Sequence, residues 1–186
     1  MAADRPRPSQ PRIHPRADIP PELAELVAVR GQGPPINILA TLAHAPNVLK
    51  RFSQMGGTLL FRGAVGDRER EIVILRVGSN CRSVYEFGQH TAIGKASGLT
   101  DAEVKALTLP VAEGTWSEQD QALIALADDL CADDCVSDAT WAQLAKTWDE
   151  RQLIELVVCA GFYRMVSGLL NSAGVQLDEG VAGWPA

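Results

Sequence analysis

The stretch EREIVILRVGSNCRSVYEFGQH (Glu69–His90) decides how this chain folds. Its middle, IVILRV, is rich enough in β-branched residues to pass for a buried strand. No hairpin partner is in sight, however, and the apolar positions continue the pattern of the flanking turns, so it reads as helix. Asp67 is expected to N-cap that helix, with Glu69 and Arg70 in the first turn. A second helix is expected to begin at Asn80-Cys81 and to run to about Ser97, where Gly98 stops it. The same stretch crowds carboxyl groups, a thiol, a phenol and an imidazole onto apolar elements. Groups of that kind are rarely buried unless paired, so here they either pair at the surface or line a site.

Outward from this centre, every element reads as helical. Towards the N-terminus, helices are expected over Pro21–Arg30, Ile36–His44 and Pro46–Leu60, with prolines in first turns where a missing N–H costs least. GQGPP (Gly31–Pro35) separates the first two. Towards the C-terminus, Thr100 and Glu103 form a capping box for a short helix to Leu107. Ser117 caps a helix over Glu118–Cys131, another runs from Ser137 to about Trp148, and a long one from Asp149 to Ala173. The fold class is all-α. Residues 1–20, rich in Pro and Arg, read as a flexible or surface-draped tail, residues 21–178 as one helical domain and 179–186 as a C-terminal tail. His14 falls in the first tail, and His44 at a helix end, where the dipole favours a cation without any chemistry.

A shift of 81 residues brings out a weak internal repeat, with Glu69-Arg70 over Glu150-Arg151, Leu75 over Leu156, Val77 over Val158 and Ala92 over Ala173. This suggests two similar helical hairpins sharing one core. Under the same shift Glu71 falls on Gln152, Glu86 on Ser167 and His90 on Asn171. The titratable groups are thus present in one copy only, which a purely structural role would not require.

Composition narrows the function classes. The chain has 186 residues, 46% hydrophobic and 22% charged, with a net charge of −6. That length suits one domain with a sizeable core, and an acidic balance gives no footprint for nucleic acid. No run of some 18 apolar residues suggests a membrane span, and MAADRPRPSQPR lacks the apolar core of a secretory signal. Four cysteines without framework spacing suggest free thiols in a reducing compartment, and a cytoplasmic protein.

On a helix, residues three, four and seven apart share a face, so Ser83, Glu86 and His90 are expected together, beside Phe87. Glu71, followed at helical spacing by Ile74, Leu75 and Gly78, is expected to turn inward. A carboxylate beside an imidazole raises its pKa, and a carboxyl group in apolar surroundings has its own raised. Groups brought towards neutrality from opposite sides suit general acid–base catalysis, with Tyr85 placed to stabilise an enolate oxygen. The structural alternative is an intrahelical Glu86–His90 pair and a Glu71 ion pair to Arg68 or Arg76.

At these residues the chain resembles the carboxymuconolactone decarboxylase family, the all-helical group that includes the alkylhydroperoxidase AhpD. The resemblance rests on RERE-IVILRV (Arg68–Val77), CRSVYEFGQH (Cys81–His90) and GLTDAEVKAL (Gly98–Leu107), with Trp148–Leu177 similar to the second half of longer members. It implies an AhpD-like bundle and a homo-oligomer, commonly a trimer or hexamer. Peroxidase members carry a Glu on the first helix, then Cys-x-x-Cys, then a His four residues after the second Cys. By that pattern Glu71 and His90 match the Glu and His, while Ser83 and Glu86 stand where the cysteines would. Tyr85 takes a position that is a second histidine in some members.

The resemblance therefore implies a branch that keeps the acid–base groups and lacks the dithiol, so the disulfide-forming peroxide cycle cannot run in that form. The expected activity is a metal-free and cofactor-free lyase, decarboxylase or isomerase acting on a small cyclic or lactone-like carbonyl compound. Glu71, Glu86 and His90 are the candidate catalytic residues. Tyr85, Ser83 and Cys81 are the candidate substrate contacts. Two alternatives stand beside it: a peroxidase working through a cysteine, and a non-catalytic small-molecule-binding protein. Cys81, if helical, points about 200° away from Ser83 and reads as a small buried hydrophobe, as does Cys159. Cys131 and Cys135, four apart at a helix end, could meet as a redox pair, but no histidine lies nearby to complete a metal site.

Overall fold

The computed structural model describes residues 5–28 and 35–185. Among them run nine α-helices and no strand: α1 (Ala24–Val27), α2 (Asn37–Leu42), α3 (Pro46–Phe61), α4 (Asp67–Asn80), α5 (Val84–Ala96), α6 (Asp101–Ala106), α7 (Glu118–Asp133), α8 (Asp138–Leu144) and α9 (Glu150–Ala173). Single 3-10 turns precede α1 and follow α6. The helix expected over Pro21–Arg30 is shorter than its sequence suggests, and both Arg30 and the break at Gly31–Pro34 lie outside the described residues.

Helix α4 is the axis of the molecule. Every residue from Arg70 to Gly78 is buried, because α5, α7 and α9 all pack around it. A helix surrounded in this way is apolar on all sides, which is why IVILRV reads equally well as a buried strand. Ile72, Val73, Ile74, Leu75 and Val77 form the core with Phe87, Leu123, Leu126, Leu156 and Tyr163. A second apolar cluster joins α1, α2 and α3 to the far end of α9 through Leu42, Leu49, Tyr85, Val166 and Leu170.

The caps behave as their side chains dictate. Thr100 and Asp149 form capping boxes with Glu103 and Gln152; Ser117 and Ser137 each accept the backbone N–H three residues on. Two boundaries differ from expectation. Gly66, not Asp67, precedes α4, and Asp67 lies in the first turn with its carboxylate 2.7 Å from Arg70 Nη1. Asn80 closes α4 rather than opening α5. The chain reverses over Cys81-Arg82-Ser83, with Arg82 in the left-handed region (φ 51°) and Ser83 as the residue before α5. The reversal brings Gly78 against the Phe87 backbone, where a Cβ would stand 3.4 Å from the Phe87 nitrogen.

The internal repeat has a different structural meaning from the one its spacing suggests. The counterpart of the α4–turn–α5 hairpin is α9, one unbroken helix of 24 residues. Positions 81–83 map onto Phe162-Tyr163-Arg164, which continue the helix without a positive φ. At 24 residues with mean hydropathy 1.7, α9 is also long and apolar enough to cross a membrane, contrary to the reading of the sequence. Its packing against α4, α5 and α7 makes it a core helix of the bundle.

Both terminal segments lie on this bundle. The Arg12 and Ile13 N–H groups donate to the Ala173 carbonyl (2.8 and 3.2 Å), and Arg16 N–H donates to Ala40 (3.1 Å). At the other end, Asp178 accepts from the Asn37 N–H at 2.8 Å, from the Tyr85 hydroxyl at 2.5 Å and from Gln89. Trp184 packs against Phe87 with ring centroids 4.9 Å apart and the planes tilted by 47°. Gly88 is the contact point, since a Cβ there would run into the Ala182 carbonyl oxygen. Gly88→Ala is therefore expected to lift the C-terminal segment from α5 at a cost of about 1–3 kcal/mol. Limited proteolysis near Val181 and a red-shifted Trp184 emission would show it; unchanged cleavage would refute the contact.

Candidate functional site

Glu71 on α4 and His90 on α5 sit at the open end of the hairpin that Gly78 and Phe87 close. The hairpin arms stay close there because Gly94 has no side chain: a Cβ would stand 3.6 Å from the Glu71 Cβ and 3.0 Å from Leu99 Cδ1. Glu71 Oε2 lies 2.7 Å from His90 Nδ1, and His90 Nε2 lies 3.1 Å from Glu86 Oε1. The other Glu71 oxygen, Oε1, accepts from Arg70 Nε at 3.2 Å. The result is a buried row, Arg70–Glu71–His90–Glu86, which Asp67 joins to the surface at the Arg70 end. Glu71 is 0% exposed, Glu86 3% and His90 6%.

Burial opposes a charged imidazole, but the Glu71 charge and the hydrogen bonds to Glu71 and Glu86 outweigh it and hold His90 up at about 10. This exceeds the expectation of a group poised near neutrality. At neutral pH the ring is an imidazolium that donates from both nitrogens. The edge of its ring meets Tyr163, 4.9 Å between centroids at 81°.

The structure brings Glu71, Glu86 and His90 together and leaves Tyr85 and Cys81 apart from them. The Tyr85 phenol is buried on the opposite side of α5, where it receives the Ile38 N–H at 3.2 Å and donates to Asp178. Burial, then the Asp178 hydrogen bond, raise its pKa well above the usual value. It braces α2 and the C-terminal segment and does not face the histidine. Ser83 is fully buried one turn before Glu86, and its hydroxyl has no hydrogen-bond partner among the described residues. Cys81, in the reversal rather than on the helix, escapes the helical argument that pointed it away. Cys81 and Cys131 are both free and half-buried. Cys131 and Cys135 do not pair; the Cys135 thiol is exposed and turns to the Val136 carbonyl. Cys159 is buried in the core, which pushes its thiol up to about 12, an inert environment.

Three neighbours went unread in the sequence. Arg70, not Arg68 or Arg76, partners Glu71; Arg68 instead binds Glu103 and Asp120, and Arg76 grips Asp128 and the Leu107 and Leu109 carbonyls. Tyr163 and Asp178 come from far along the chain and carry no local signal. Among the described residues no group of three or more His, Cys, Asp or Glu is arranged to hold a metal ion.

With this geometry in hand, the relatives can be placed. Residues 46–129 match the model of the carboxymuconolactone decarboxylase family. No curated protein matches the chain in sequence. Solved structures share the whole fold. One is described as an alkylhydroperoxidase AhpD core, an uncharacterized peroxidase-related protein from Ralstonia eutropha JMP134 (17% identity, 90% of this chain and 93% of that one, TM-score 0.76). Another is an uncharacterized peroxidase-related protein from Silicibacter sp. TM1040 (18% identity, 88% of each chain, TM-score 0.76). A third is the debrominase Bmp8 in complex with 2,3,4-tribromopyrrole (14% identity, 90% of this chain and 91% of that one, TM-score 0.77). Residues 46–129 thus match the carboxymuconolactone decarboxylase family, and the chain has an AhpD-like all-α fold.

The raised histidine gives a signed pH dependence. Its pKa moves from 6.5 up to about 10 in the folded protein, so the folded state holds the extra proton between those values. That stabilisation is complete below pH 6.5 and disappears as pH rises through about 10. Urea unfolding across this window is expected to show stability falling with pH in the wild type and flat in His90→Gln. Glu71→Ala, which leaves Arg70 with Asp67 alone and His90 with Glu86 alone, is expected to cost about 3 kcal/mol. A wild-type profile that matches His90→Gln would refute the buried imidazolium.

Proposed function

We propose that this protein is an enzyme that moves a proton to or from carbon in a small cyclic or lactone-like carbonyl compound, through an enolate, as a lyase, decarboxylase or isomerase. The supporting observation is the buried row in which one imidazole bridges two carboxyl groups. Glu71 spends both oxygens on Arg70 and His90, so it fixes the ring and serves as a positioning residue. Glu86 gives Oε1 to His90, and among the described residues its second oxygen carries no hydrogen bond. That oxygen is the end of the row from which substrate is met. Glu86 takes the proton as the enolate forms, and the His90 imidazolium beside it stabilises the negative charge and can return a proton on the far side of the reaction. The Ser83 hydroxyl, one turn away, is a donor available to the substrate oxygen. The family match and the row support a substrate of this class, and a small organic molecule is the only partner the reading calls for.

A homo-oligomer belongs to the same reading. Ile154, Val158 and Met165 form an apolar stripe on the outer face of α9, with Ile154 64% exposed, and a second copy is the simplest cover for it. The four free cysteines suit a reducing, cytoplasmic setting.

Deuterium wash-in tests the chemistry without a known substrate. A panel of cyclic ketones, β-keto acids and carboxylated lactones is incubated with enzyme in D2O and followed by proton NMR. Exchange or CO2 release is expected for at least one class, with His90→Gln and Glu86→Gln each slower by about a hundredfold or more. A wild type inert towards the panel, or two variants as fast as wild type, would remove the proposal.

A further inference from the structure

The acid–base row makes no use of the Pro- and Arg-rich start of the chain, yet that segment is laid down in a defined place. The Arg12 and Ile13 N–H groups hold it to the Ala173 carbonyl. Gly174, left-handed at φ 68°, leaves room for it, since a Cβ there would stand 2.6 Å from the Gln10 carbonyl oxygen. Further towards the N-terminus, Arg7 Nη2 donates to the Cys81 carbonyl at 2.8 Å. Arg82 Nη2 in turn donates to the Arg5 carbonyl at 3.2 Å. Two guanidinium bonds running in opposite directions thus fasten the segment across the α4–α5 reversal.

Beside this fastening lies an open pocket of about 480 Å³, lined by Arg5, Pro6, Arg7, Arg82, Val84 and Trp184. Three of the six lining residues are arginines and none is acidic, in a chain whose net charge is −6. Like charges gathered in one place raise one another's energy, and an anion among them relieves it. The rest of the lining is apolar. Trp184 packs against Phe87 and still remains 43% exposed. Gly183 seats the Trp184 segment on the start of α5, where a Cβ would stand 2.9 Å from Val84 Cγ2. An indole left open beside guanidinium groups is a surface for a flat ring.

We propose that this pocket is a binding site for a small aromatic carboxylate, separate from the Glu71–His90–Glu86 row. Arg5 and Arg7 take the carboxylate. Among the described residues the Arg5 side chain makes no hydrogen bond or ion pair, and Arg7 spends only Nη2, on Cys81. Both keep N–H donors for a ligand oxygen. Arg82 is the anchor, because its bond to the Arg5 carbonyl sets where Arg5 stands. The ring packs against Trp184 and Val84. A cavity of this size suits a single-ring acid. Inorganic phosphate would meet the arginines and leave the apolar wall wet; a neutral ring would cover the wall and leave the arginines unmet. A carboxylate on a ring satisfies both.

The test titrates the full-length protein with benzoate in low-salt buffer, followed by tryptophan emission and by calorimetry. Saturable binding is expected, with half-saturation at about 1 mM or below. Benzyl alcohol and inorganic phosphate should each bind more weakly by about tenfold or more, and added salt should weaken benzoate. Arg5→Gln removes a side chain with no part in the fold's hydrogen bonds, and is expected to weaken benzoate about tenfold. Trp184→Leu should abolish the emission change and weaken the calorimetric binding. Arg51→Gln, a change at an exposed arginine on α3, should bind as wild type does. The proposal is overturned by the absence of saturable binding up to about 20 mM, by unchanged binding in Arg5→Gln, or by phosphate or benzyl alcohol binding as tightly as benzoate. Deuterium wash-in by Arg5→Gln is expected to equal wild type, so failure here and failure of the acid–base reading give different results.

Discussion

The Glu71 carboxylate, fully buried with Arg70 on one oxygen and His90 on the other, is the interaction on which the rest of the molecule depends. A carboxylate so deep costs several kcal/mol in desolvation unless it is met on both sides. Meeting it requires a cation from its own helix and an imidazolium from the next, which in turn requires α4 and α5 to run antiparallel at close range. Gly78, Gly94 and the left-handed Arg82 make that possible. The surrounding helices then have a defined task. They exclude water from the row, and α9 contributes Tyr163 against the histidine edge. Dryness strengthens each contact within the row, and the same dryness makes any one of them expensive to remove.

The terminal segments take part in this arrangement through α5 rather than through the row itself. Asp178 gathers Tyr85, Gln89 and the start of α2, and Trp184 covers Phe87. Tyr85 is on the helix that bears Glu86 and His90 but on its other side, so α5 is pinned from two directions. One face carries the titratable groups; the other carries the bonds that stop the helix from rotating. A phenol next to a candidate site is easily read as part of its chemistry. Here its hydroxyl is already occupied, and its contribution is to the orientation of the helix.

Much of this was legible in the residues. Helix caps at Thr100, Ser117, Ser137 and Asp149 follow local rules, because a cap is satisfied within four residues. The convergence of Glu71, Glu86 and His90 also had a local signature, in the i,i+4 spacing and in the single-copy placement across the repeat. The less legible parts depend on tertiary geometry. Asn80-Cys81-Arg82 contains no glycine or proline, so nothing marked a reversal with a positive φ at Arg82. With that turn unseen, Cys81 was assigned a helical direction it does not have. The partner of Glu71 was sought three and five residues away, at Arg68 and Arg76, whereas burial turns the adjacent Arg70 inward.

One hairpin thus carries two kinds of chemistry-bearing groups at its two ends. The acid–base row occupies the open end, between the start of α4 and the middle of α5. Cys81 lies at the closed end, in the reversal. The two ends are divided by the Gly78–Phe87 contact within the apolar core. This separation lets substitutions at the reversal leave the hydrogen bonds of Glu71, His90 and Glu86 intact. With a hydroxyl at Ser83 and a carboxyl group at Glu86, the imidazole nitrogens of His90 face the carboxyl oxygens of Glu71 and Glu86.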